Sequence, residues 1–185
     1  ANDSVNTTPN TASRISGIFS QNGAIGLSIE QLAKSKIYAV VQSNTSFGVK
    51  SRNQAGLAWM QWCDLDLWLE NNGGGVDLYQ ILLDSADASG GPQDNSWRCR
   101  IDPLSTNKSI HIVKGERNRF IETIFTDDAT GAVDLDAGAK DNYFKDCRYS
   151  SGTVIGSRIT DVGARNYIYG EWKTPTFAAG NFTAG

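Results

Sequence analysis

Three asparagines stand 24 residues apart in the last third of the chain, at Asn118, Asn142 and Asn166. Each lies in a similar setting, KGERNRFIETIF, AGAKDNYFKDCRY and VGARNYIYGEW: a glycine, a short polar turn, the asparagine, one residue, then an apolar side chain. Those apolar side chains are Phe120, Phe144 and Ile168. Upstream of each glycine lies a strand-like run, SIHIV, AVDLD or GSRIT, with Ile112, Leu135 and Ile159 at steps of 23 and 24. Short strands and glycine turns at a period of 20–24 residues are the signature of a solenoid. A single coil of this kind cannot bury its apolar face alone, so stacking must supply the core. An antiparallel sandwich would not return the three asparagines to one register. In a parallel stack the coils lie about 4.8 Å apart, within reach of amide-to-amide hydrogen bonds. Asparagine also tolerates the left-handed backbone of a sharp corner.

Weaker matches extend the pattern toward the amino end. Asn95-Ser96-Trp97 places Trp97 23 residues before Phe120, while Ile37 and Leu57, and likewise Ile29 and Val49, differ by 20. Ser28–Val41 fits a helical period only loosely, whereas Ile37, Ala39 and Val41 alternate as in a strand. The expected fold is all-β, a right-handed parallel β-helix of about six or seven coils. Residues 1–26 are expected as an arm, 27–173 as the solenoid and 174–185 as a tail. The missing initial Met is read as a chain cut from something longer.

The segments GERNRF, GAKDNYF and GARNYIY, with the strands before them, resemble the right-handed β-helices of the pectin-lyase-like superfamily, in particular bacteriophage tailspikes. The resemblance covers Ser109–Trp172 well and Gly26–Asp102 loosely. It implies a homotrimer on a phage tail, or otherwise a secreted or cell-surface protein, that recognises a bacterial surface polysaccharide and often cuts it. No tailspike catalytic motif matches residue by residue, and the fold alone does not specify chemistry.

Glycoside cleavage needs two carboxylates across the scissile bond. The repeat sets Glu122 directly below Asp146, and places Asp134 beside Asp136 on one face of a strand. It also puts His111, Asp134 and Arg158 in one outward column, with Asp134 as the partner that would orient His111. Solvated faces tolerate such charges without any catalytic role. Arg117, Asp141 and Arg165 alternate in sign just before the asparagine corner, as inter-coil salt bridges do. Asp127, Asp128, Asp134 and Asp136 offer oxygen ligands, but DDATGAVDLD lacks a glycine at the sixth loop position and the terminal glutamate of a calcium-binding EF-hand, so no metal is assigned.

Aromatic residues indicate a glycan-binding module, with a glycan hydrolase or lyase, or a purely structural fibre or adhesin spacer, as the alternatives. Trp59, Trp62 and Trp68 crowd into AWMQWCDLDLW, with Trp59 on the face opposite Trp62 and Trp68 if the strand is unbroken. Exposed indoles stack on sugar rings, with core or trimer packing as the competing use. Tyr143 and Tyr167 form a second stacked platform. The run NNGGG has no phosphate-loop lysine, so no nucleotide cofactor is implied. A net charge of −3 argues against nucleic acid, and no apolar run of membrane-spanning length occurs. Cys63, Cys99 and Cys147 are widely spaced and odd in number, which fits three buried free thiols.

Overall fold

The computed structural model describes residues 10–21, 23–56, 59–73, 79–87, 90–102, 108–126, 133–149 and 159–169. Strict alternation decides which side chains turn inward. In Lys36–Gln42 the buried residues are Ile37, Ala39 and Val41; in Asp64–Glu70 they are Leu65, Leu67 and Leu69. Strands patterned in this way bury one face and leave the other wet, and here the buried faces are closed by winding the chain helically.

One long parallel ladder contains β2 (Arg14–Ser20), β5 (Lys36–Gln42), β7 (Asp64–Glu70), β9 (Ser96–Asp102), β11 (Arg119–Ile121), β14 (Tyr143–Lys145) and β17 (Tyr167–Tyr169). Two short strands, β12 (Ile124–Phe125) and β15 (Arg148–Tyr149), continue it beyond a bulge. A second ladder contains β3 (Leu27–Ile29), β6 (Val49–Asn53), β8 (Tyr79–Ser85), β10 (Lys108–Glu116), β13 (Val133–Lys140) and β16 (Ile159–Asp161). The third side is narrow: β1 (Asn10–Thr11) pairs with β4 (Leu32–Ala33), and single bridges carry it through Gln61, Gln93 and Glu116. Every pairing among the described residues is parallel, and the fold is a right-handed parallel β-solenoid of about five turns. The first rung, β2, lies within the residues expected as an arm.

Register in the last coils follows the expected repeat. Phe120 lies opposite Phe144, and Phe144 opposite Ile168. Trp97 lies opposite Phe120, and these rings form a buried stack, with centroids 5.5 Å apart for Trp97–Phe120 and 4.9 Å for Phe120–Phe144. The earlier coils are longer. Lys36 pairs with Asp64 and Asp64 with Ser96, steps of 28 and 32. Ile37 therefore stands opposite Leu65, not Leu57, and Val49 stands opposite Leu27, with Ile29 opposite Ser51. Ile159 pairs with Val133, two positions from the expected Leu135, a shift that keeps it on the inward side.

The corner before the first ladder corrects one more expectation. Left-handed φ belongs to Ala12, Lys34, Trp62, Asp94, Arg117, Asp141 and Arg165, each two residues before its rung. The asparagines come one residue later and turn their amides inward as a buried column. Asn118 Nδ2 donates to Asn142 Oδ1 at 3.1 Å, and Asn142 Nδ2 to Asn166 Oδ1 at 3.0 Å. Asn95 extends the column, donating to Asn118 Oδ1 at 2.9 Å. Each amide also caps a carbonyl of the coil below, Met60, Pro92, Gly115 or Ala139 in turn. Outside this column Arg165 forms a forked pair with Asp141, while Arg117 reaches Asp94 instead of Asp141. All three cysteines are free and buried.

Candidate functional site

Outward-facing side chains of the first ladder line up in vertical columns. Tyr38, Asp66 and Arg98 occupy successive rungs of one column. In the next stand Val40, Trp68, Arg100, Ile124 and Arg148. Between these columns runs a groove of about 900 Å³. A smaller hollow of about 330 Å³ shares Tyr38, Asp66 and Arg98 with it. That hollow in turn shares Ile121 with a third of about 340 Å³, lined also by Arg119, Tyr143, Lys145 and Tyr169. The groove is itself a furrow running up the solenoid, from Gly17 to Arg148, and the two hollows lie on the far side of the Tyr38–Asp66–Arg98 column.

A bulge gives the groove two of its acids. Trp97 to Arg100 is a step of three on β9, whereas the opposed Phe120 to Ile124 is a step of four. The surplus residue is accommodated at Glu122, with φ of 52°, and the next coil repeats it at Asp146, with φ of 53°. Bulges re-aim side chains in this way. The expected vertical pairing of Glu122 with Asp146 is therefore present, and both carboxylates line the groove. Glu122 is engaged by Arg98 at 3.4 Å.

Asp134 and Asp136 lie on the second ladder, so the four acids expected as catalytic divide between two faces. His111 is opposite Asp134 in backbone register, but its Nε2 bonds Asp136 Oδ2 at 3.1 Å. Asp134 instead accepts from the Tyr79 hydroxyl at 2.8 Å, and the Tyr79 and His111 rings lie 4.4 Å apart. Burial, then the bond to Asp134, hold the Tyr79 hydroxyl protonated well above the ordinary phenol range. The rung above Asp134 carries Thr160; the expected Arg158 lies outside the described residues, as do Asp127 and Asp128. Among the described residues no three His, Cys, Asp or Glu are grouped to hold a metal ion.

The tryptophans have three different environments. Trp68 is 44% exposed on the groove wall, with the Arg100 guanidinium 5.0 Å from its ring centroid. Trp62 is 52% exposed at the left-handed corner, under the Lys34 ammonium at 5.7 Å. Trp59 is half-buried and covers Gly90, where a β-carbon would strike the ring at 2.8 Å. Tyr143 and Tyr167 stack at 5.0 Å as expected, and Tyr169 joins them at 6.2 Å. Sequence reasoning missed Tyr38, Arg98, Arg100 and Arg148. The Tyr38–Asp66–Arg98 column becomes visible only once the steps of 28 and 32 are known, whereas Arg100 and Arg148 line up through Ile124 at steps of 24.

Comparison with protein-family models gives no match, and comparisons with curated proteins and with solved structures give none either. No helix among the described residues is long and apolar enough to cross a membrane. The fold is consistent with a carbohydrate-binding or structural β-solenoid domain. The assignment of function therefore rests on the groove itself.

Proposed function

We propose that this chain is a polysaccharide-binding β-solenoid of a tailspike-type receptor-binding protein, trimeric and displayed on a virion surface. The observation that carries the reading is the furrow on the first ladder. Tyr38 and Trp68 are large exposed aromatics, 41% and 44% accessible, on a wall that also bears Asp66, Arg98, Arg100, Glu122 and Asp146. Aromatic faces stack on the C–H faces of sugars, while carboxylates and guanidiniums bond their hydroxyls. An elongated furrow suits a polymer better than an isolated pocket does. The resemblance of the carboxyl-terminal coils to tailspikes points to the same ligand class.

The test is retention of bacterial capsular and O-antigen polysaccharides on immobilised protein, with Trp68→Ala and Tyr38→Ala beside the parent chain. Retention that falls at least about tenfold in Trp68→Ala, at unchanged melting temperature, supports the reading. Equal retention by parent and variant would reject this groove. Glu122 and Asp146 favour a second reading, hydrolysis, because of the four acids expected as catalytic they are the two that line the groove. New reducing ends that vanish in Glu122→Gln and Asp146→Asn would establish it. Sedimentation equilibrium tests the trimer.

A further inference from the structure

We infer that the ligand of the groove is an acidic glycan, one whose carboxylates are received by Arg100 and Arg148. This rests on the glycan-binding reading and narrows it to a substrate class. The two arginines belong to one column, Trp68–Arg100–Ile124–Arg148, and stand two rungs apart. At the spacing of a parallel sheet their attachment points are separated by roughly 10 Å. Both are exposed, and neither has a carboxylate partner among the described residues. The remaining groove arginine, Arg98, is already paired with Glu122.

Unpaired guanidiniums are notable in a chain of net charge −3. Arg100 is also held in place, since its guanidinium lies over the Trp68 ring. That contact restrains the side chain while leaving N–H donors free for a planar carboxylate, the geometry guanidinium suits best. Ile124 separates the two cations with an apolar step on which a sugar ring can rest. A nucleic acid fits less well: Asp66, Glu122 and Asp146 share the groove and would repel closely spaced phosphates. A polymer with hydroxyls at most positions and a carboxylate at intervals satisfies both signs of charge.

The experiment compares uronate-containing and neutral bacterial polysaccharides on the full chain, then the best-retained glycan before and after chemical reduction of its carboxylates. Arg100→Gln and Arg148→Gln are measured beside Trp68→Ala, each at about 0.05 and 0.5 M salt. The inference expects acidic glycans to be retained. Carboxyl reduction or either arginine substitution should weaken binding about tenfold, and high salt should do the same. Neutral glycans binding equally well, with the arginine variants unchanged and Trp68→Ala defective, would overturn the acidic ligand but keep glycan binding. Retention of no polysaccharide would overturn both. Single-stranded DNA is included as a probe; preferential retention of it would also overturn the inference.

Discussion

Replacing Asn142 with alanine removes four side-chain hydrogen bonds from the middle of the buried column. Asn142 Oδ1 accepts from the backbone N–H and the Nδ2 of Asn118, and its Nδ2 donates to Gly115 O and Asn166 Oδ1. The losses are unequal in consequence. Asn118 Nδ2 keeps Pro92 O, and Asn166 Oδ1 keeps the backbone N–H of residue 142. The Asn118 backbone N–H has no second acceptor among the described residues, and it is fully buried. An orphaned buried donor costs about 1–3 kcal/mol, and each lost net bond about 1 kcal/mol. Allowing for the partners retained, Asn142→Ala should destabilise by about 3 kcal/mol. Asp141→Asn is the control, because it breaks only the exposed pair with Arg165 and keeps a residue that tolerates left-handed φ. It should cost less than about 1 kcal/mol. Urea unfolding at one protein concentration, followed by tryptophan fluorescence, measures both, as midpoint shifts at constant slope. If Asn142→Ala costs no more than Asp141→Asn, the column is not what aligns the coils.

Three further outcomes follow from packing and charge. Burial raises all three thiols, Cys147 to about 12, so a thiol reagent at pH 8 should label none of them in folded protein and all three in denaturant. The hydrogen bond from Arg165 holds the Asp141 carboxyl below its ordinary value of 3.8, so its stabilisation is full above that pH and lost as pH falls through the lowered value. The stability gap between the parent chain and Asp141→Asn should therefore close in strong acid, by urea midpoints taken from pH 7 to pH 2 on the ordinary carboxylate scale. Gly163→Ala drives a β-carbon against Ala139 O and to 2.6 Å from Asn166 Nδ2, whereas at Gly115 the nearest atoms are 3.1 Å away. The first should cost about 1–3 kcal/mol of overpacking and the second clearly less, by the same urea assay.

The carboxyl-terminal coils were legible because nothing interrupts them. With steps of 23 and 24, Asn118, Asn142 and Asn166, the Phe120 stack, Glu122 over Asp146, and Tyr143 over Tyr167 all follow from counting. Toward the amino end the coils lengthen to 28 and 32 residues, and an insertion alters sequence separation without altering the spacing of rungs. Tyr38, Asp66 and Arg98 were thus vertical neighbours with no constant period to reveal them. Two finer errors have separate causes. His111 meets Asp136 because the β10–β13 pairing shifts register between Ile112 and Lys114, next to Asp136. The left-handed corner falls on Asp94, Arg117, Asp141 and Arg165, because the neighbouring asparagine is needed inside for its amide.

Hydroxyl-radical footprinting with a retained polysaccharide tests the location of binding most directly, because the two exposed tryptophans among the described residues lie on different parts of the surface. Trp68 lines the groove, whereas Trp62 stands at the corner, outside it. Binding at the proposed face predicts that oxidation of Trp68 and Tyr38 falls at saturating glycan while Trp62 stays as reactive as before. Protection of Trp62 with Trp68 left unprotected would contradict it.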